Sequence, residues 1–163
     1  MTEAVQGKDA DSSVRSAPKS RWEAARDRLD EAHRHRREGR TAAALRDYKT
    51  VMETPTARTS DRQTARAWSA RMRLIDGERS ALVDLQWLAS QRLEPQLYAH
   101  VATSAMQGVP SAPSVDVDIA KRAIVAAATR QLTRASRVRG ESGERARRWL
   151  DRVLARSATF FSP

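Results

Sequence analysis

The feature that most restricts what this chain can fold into is a recurring alternation. Apolar stripes at helical spacing are each closed by a single glycine or proline. In "SRWEAARDRLDEAHRHRREGR" the run Trp22, Ala25, Leu29 and Ala32 marks one face of a helix. Ser20 with Glu23 forms a capping box at its start, and Gly39 can take the left-handed conformation that ends it. A second helix is predicted from Thr41 to Glu53, with Ala44, Leu45, Tyr48, Val51 and Met52 on one stripe and Pro55 as its stop. The pattern then returns. Ser60 and Gln63 are a further capping-box candidate, Ala67, Trp68, Met72, Leu74 and Ile75 form a face, and Gly77 closes the third helix.

Residues 79–92 form the predicted fourth helix, with Ala81, Leu82, Leu85 and Leu88 inward and Trp87 at the stripe's edge. Pro95 suits the first turn of a fifth, whose face is Leu97, Tyr98, Val101, Ala102 and Ala105 and whose stop is Gly108. The segment 108–117, "GVPSAPSVDV", reads as a loop. Asp116 or Asp118 is the expected cap of a sixth helix with Ile119, Ala123, Ile124, Ala127 and Leu132 inward. After "RGESGE" a seventh helix, Gly143 to Arg156, is expected to bury Trp149, Leu150, Val153 and Leu154. No alternation of period two persists over a strand-length segment, so the expected fold class is all-α, with about seven helices.

At 163 residues the chain suits one domain. It is expected over residues 20–156, between a disordered tail at 1–19 and a short tail at 157–163. The core should be rich in alanine and leucine, with Trp22, Trp68, Trp87 and Trp149 as anchors spread over several helices. The chain has no cysteine, which excludes disulfides, thiol catalysis and cysteine-ligated metal centres. It also has no apolar run of the roughly 18 residues needed to span a bilayer and no secretory h-region near its start. These features lead to the expectation of an intracellular protein in the cytoplasm or another reducing compartment.

The net charge is +10, and all but four of the 30 cations are arginine. Residues 119–163 carry eleven cations against Glu141, Glu144 and Asp151, a net +8, whereas residues 80–118 set Arg92 against four acids, a net −3. A concentrated arginine surface should attract an acidic protein face, nucleic acid or anionic lipid. An arginine-biased composition that merely solvates helix surfaces would look the same.

Gly39, Gly77 and Gly108 are separated by 38 and 31 residues, near the roughly 34-residue period of helical hairpin repeats. Residues 39–55, "GRTAAALRDYKTVMETP", resemble the second half of a tetratricopeptide repeat in the elbow glycine, the small residue Ala44, the aromatic Tyr48 and the closing Pro55. Residues 77–95 are similar both to that family and to pentatricopeptide repeats, whereas residues 108–137 carry no repeat signature. The resemblance implies three stacked antiparallel hairpins plus a C-terminal capping helix, and a protein-binding groove lined by the first helix of each hairpin. Arg28, His35, Arg66, Arg73 and His100 would then form a basic floor for an acidic peptide. Pentatricopeptide similarity would imply single-stranded RNA instead.

No catalytic set emerges from the residues. His33 and His35 are two apart on a helix and point to different faces, and the carboxylates at Asp116 and Asp118 suit a helix start. "GESGERARRW" lacks the spacing and the Lys-Ser/Thr pair of a phosphate loop. No cofactor or metal is expected. The expected function is a non-enzymatic interaction module, a small adaptor or scaffold subunit with an acidic protein or peptide as partner. The alternative is a nucleic-acid-binding or ribonucleoprotein component that places Arg134, Arg137, Arg139, Arg145, Arg148 and Arg152 on phosphates. Membrane docking through the basic seventh helix and Phe160 and Phe161 is the least favoured partner reading.

Overall fold

The computed structural model describes residues 19–107 and 114–161. The expected tail before residue 19 and the stop at Gly108 lie outside the described residues, apart from Lys19. Seven helices follow in order: α1 (Arg21–Arg37), α2 (Thr41–Glu53), α3 (Thr59–Ile75), α4 (Ala81–Ala89), α5 (Pro95–Ala105), α6 (Val115–Ser136) and α7 (Glu141–Phe160). The described residues contain no strand. The chain is all-α, and its packing is that of stacked hairpins, α1 on α2, α3 on α4 and α5 on α6, with α7 lying across α5 and α6.

Local chemistry explains the elbows. Ser20 caps α1 through the expected box, its hydroxyl accepting from the Glu23 amide while Glu23 accepts from the Ser20 amide. At the other end Gly39 takes φ 75°, its N–H reaching the Arg36 carbonyl at 3.1 Å and the Arg40 N–H the His35 carbonyl at 2.8 Å. Gly77 repeats this geometry with φ 94°, through bonds from Gly77 to Leu74 and from Glu78 to Arg73. Both are Schellman closures, which leave two orphan carbonyls satisfied and turn the chain back on itself.

Several expected details are corrected. Helix α3 starts from Arg58 with no side-chain cap, and the Ser60 carbonyl instead accepts the Thr64 hydroxyl. The turn at Thr54–Ala57 delivers the chain one residue into the helix before Ser60, with Ala57 buried against α1 and α2. Helix α6 is capped by Ser114, whose hydroxyl accepts from the Val117 amide at 3.2 Å, so Asp116 and Asp118 sit in the first turn. The buried face of α6 is Lys121, Ile124, Val125, Ala128 and Leu132, while Ile119 is 59% exposed. Helix α4 is shorter than expected, and α7 begins two residues earlier and runs to Phe160.

The core falls into two clusters that meet along α3. The first joins Leu29, Ala32, Ala44, Tyr48, Val51 and Ala65. The second, larger one joins α3 to α7 through Leu74, Leu85, Leu88, Val101, Ile124 and Val153. Alanine and leucine dominate both, as the composition suggested. At the edge of the larger cluster the Lys121 ammonium donates to the carbonyl of Gln107, tying α6 to the end of α5, and burial pushes its pKa down. Of the four expected tryptophan anchors, Trp68 and Trp149 pack half-buried against the two clusters, and Trp22 and Trp87 are exposed. Trp22 is 38% exposed and Trp87 45%, because each of the four indoles offers a ring face to an arginine at the surface.

Tyr48 is fully buried, yet its hydroxyl lies 2.8 Å from His33 Nδ1 and accepts from Arg36 Nε at 3.3 Å. Replacing Tyr48 with Phe keeps the ring and strands both partners, so we expect a loss of roughly 1–2 kcal/mol in a denaturant titration. A change within error would show that water replaces the hydroxyl without cost.

Candidate functional site

The odd-numbered helices form a continuous row, with α1 touching α3, α3 touching α5 and α5 touching α7. Residues at helical spacing on this row converge on Trp68 of α3. The Arg36 guanidinium of α1 stacks 3.7 Å from the indole centroid, and Arg71, one turn along α3, lies at 5.7 Å. The His100 ring of α5 lies 4.2 Å away at a tilt of 42°, and His33 of α1 meets the indole edge-on at 5.9 Å. On α7 the same arrangement recurs in Trp149 and Arg152, 4.9 Å apart.

Clefts open along the row between these helices. One of about 240 Å³ lies between α3 and α5 and is lined by Thr64, Trp68, Leu97 and His100. A larger one of about 590 Å³ lies between α5 and α7, with Ala99, His100, Trp149, Val153 and Arg156 on its walls. A third, of about 390 Å³, is bordered by Arg145, Arg148, Trp149 and Arg152. All three share Gln96, and the first two share His100. Together they make one groove with apolar patches, bordered by arginines in the second and third clefts and by Glu94 in the first.

The electrostatics differ along the groove, with Glu94 in the wall of the α3–α5 cleft and arginines at the two clefts beside α7. Among the described residues no carboxylate comes within ion-pair distance of Arg36, Arg71, Arg148, Arg152 or Arg156. Burial lowers the Arg71 pKa, and the neighbouring Arg156 and Arg36 lower it further. Burial, with Arg71, Arg36 and His33 adding to it, pushes His100 down to about 3, so its imidazole is neutral at physiological pH. The His100 Nε2 is buried and has no hydrogen-bond partner among the described residues. His33 is likewise held below its ordinary value, by burial first and Arg36 second, in keeping with its contact to the Tyr48 hydroxyl.

Of the five residues expected to floor the groove, His100 lines it. The other four face the second helix of their own hairpins. Arg28 and His35 bind Asp47 of α2 at 3.3 and 2.9 Å. Arg66 and Arg73 both bind Asp84 of α4, with Arg66 also 4.6 Å over Trp87. The six C-terminal arginines separate into two sets. Arg145, Arg148 and Arg152 gather around Trp149, whereas Arg134, Arg137 and Arg139 sit exposed at the end of α6 and in the turn to α7 and line none of these clefts.

Arg36 and Arg71, which stand beside Trp68, belong to neither expected set, although the sequence carries a signal for them. An aromatic residue followed three positions later by arginine recurs on α1 (His33, Arg36), α3 (Trp68, Arg71) and α7 (Trp149, Arg152), and α5 carries His100 and Thr103 at the same spacing. His33 and His35 hold different partners, and among the described residues no group of three His, Asp or Glu side chains could hold a metal. No described helix is long and apolar enough to cross a membrane. No family model, curated protein or solved structure matches the chain.

Proposed function

We propose that this chain is a non-enzymatic interaction module, a small adaptor or scaffold subunit that receives an acidic protein or peptide segment along the groove of α1, α3, α5 and α7. The observation that carries this reading is the set of guanidiniums, without a carboxylate partner among the described residues, that stand over Trp68 and Trp149. Stacking leaves the N–H edges of each guanidinium directed away from the ring, a geometry suited to accepting carboxylates two oxygens at a time. The apolar walls at Ala99, Leu97 and Val153 can cover side chains between the acids.

Binding of a fluorescent glutamate-rich peptide tests it. Replacing Arg148 and Arg152 together with Gln should weaken binding by roughly tenfold or more, since each charge-assisted contact is worth about 1.5–3 kcal/mol before losses. Replacing Arg134 and Arg137 should leave it nearly unchanged. Equal effects from the two pairs would mean that the peptide meets a diffuse positive field, and the groove would lose its role.

The nucleic-acid alternative draws support from Arg145, Arg148 and Arg152, which follow one another along one side of α7 around a shared cleft. It requires retention of single-stranded RNA or DNA with a steep loss of affinity as salt rises. Absence of retention at low salt removes it.

A further inference from the structure

The centre of the groove differs from its rim. On the rim, arginines are dispersed and exposed along α7. Near Trp68, half-buried Arg36 from α1 and Arg71 from α3 stand together, and exposed Arg156 from α7 borders the cleft that His100 also lines, close enough for Arg71 to feel the charge of both. His100 adds a buried ring nitrogen with no partner in the same place. Like charges drawn together without an acid repel one another, and the fold does not relieve this with any described carboxylate. An anion of two charges and several oxygens would.

Building on the acidic-peptide reading, we infer that the Arg71, Arg156 and His100 centre of the groove receives a phosphate monoester, carried by a phosphorylated side chain within that acidic partner. Three considerations favour it over a further carboxylate or a nucleic-acid strand. A phosphoryl group offers three acceptor oxygens and nearly two charges, enough to engage two guanidinium forks and the His100 Nε2 together, whereas a carboxylate offers two oxygens and one charge. Arg36 and Arg71 flank Trp68 and Arg156 shares a cleft with His100, a grouping around one place instead of a line along a backbone. Arg36 stands over the Trp68 ring and Arg152 over the Trp149 ring, so guanidiniums already occupy ring surface on which bases would stack. The clefts on both sides of His100, with their mixed apolar and amide walls, continue the path for peptide flanks.

The test compares a glutamate-rich peptide carrying one central serine with the same peptide phosphorylated, by calorimetry on the full chain. The phosphorylated form should bind roughly tenfold to a hundredfold more tightly. Arg156→Gln, at an exposed site on the groove wall, should weaken the unphosphorylated peptide a little and the phosphorylated one far more, bringing the two to within roughly threefold of each other. Arg71→Lys, which keeps the charge but loses the fork, should remove most of the phosphorylated form's advantage. Inorganic phosphate should compete with the phosphopeptide and shift the ring resonances of His100 and Trp68. Equal binding of the two peptides overturns the phosphoryl inference and leaves the acidic-groove reading intact. Binding of neither peptide to the folded chain overturns both, and tighter binding of a 5′-phosphorylated single-stranded RNA than of the phosphopeptide overturns the inference in favour of nucleic acid.

Discussion

Replacing Gly143 with Ala should lower stability by roughly 2–4 kcal/mol, although alanine is ordinarily the better helix former by about 1 kcal/mol. Gly143 sits in the first turn of α7, where the chain has just turned back from α6. A Cβ there would lie 1.7 Å from the Val138 carbonyl oxygen, 2.9 Å from its carbon and 3.3 Å from the Ser136 oxygen. These are backbone atoms, so the clash cannot be relieved by a rotamer, and α7 must move away from the end of α6. The same close approach lets Arg147 donate to the Ser136 carbonyl at 3.0 Å. Gly39→Ala is the instructive control. Its Cβ would meet nothing within 4 Å, and only the φ of 75° opposes it, so about 1 kcal/mol is expected there. Thermal melts of both variants check the order, since each kcal/mol moves the midpoint by roughly 2–4 °C in a chain of this size. If Gly143→Ala melts with Gly39→Ala or above it, the helices do not pack this closely at the α6–α7 corner. Because α7 carries Trp149, Arg152 and Arg156, the Gly143 variant should also loosen the groove.

What the sequence made legible was local. The Ser20 box and the Gly39 and Gly77 closures depend on bonds within a few residues, so their chemistry is written in "SRWE", "EGR" and "DGE". The start of α3 was not legible in this way, because the position of Arg58 is decided by Ala57 packing into the first core cluster. Helix phase failed for a related reason. Arg71 and Arg73, or His33 and His35, differ by about 200° around a helix, and which of each pair faces a groove depends on where the hairpin partner lies. On α3 the buried alanines Ala65, Ala67 and Ala70 spread over more than one side, so the apolar stripe left the facing direction open. The acids Asp47 and Asp84 settle it, drawing Arg28, His35, Arg66 and Arg73 toward α2 and α4 and leaving Arg36 and Arg71 to the row of odd helices. The large, partly polar indoles read as core anchors by size alone. Their role as surfaces for guanidiniums is local at Trp149, where Arg152 lies one turn along the same helix, but at Trp68 and Trp87 it appears only once a second helix brings Arg36 or Arg66 above the ring.

Acidification should destabilise the chain well before its carboxylates protonate, and His100 is the reason. Its pKa stands near 3 in the folded protein and near its ordinary 6.5 once unfolded. Between those values the unfolded chain binds a proton that the folded chain refuses, so stability is complete above about pH 6.5 and declines as pH falls toward 3. The limiting slope for one such group is about 1.4 kcal/mol per pH unit, which puts the loss at pH 5 near 2 kcal/mol. His33, shifted in the same direction, adds to it. Denaturant midpoints at pH 7.5, 6 and 5 measure the decline in a window where most carboxylates are still ionised. His100→Phe keeps a ring against Trp68 and removes the titration, so its stability should vary much less over the same range. A wild-type profile as flat as that of His100→Phe would mean that the imidazole accepts a proton in place, with water, now excluded by burial, reaching the ring and with Arg71 and Arg36 standing further from it. The surroundings of Trp68 would then be looser than their packing suggests, so the pH profile probes the electrostatics of the proposed groove without any ligand.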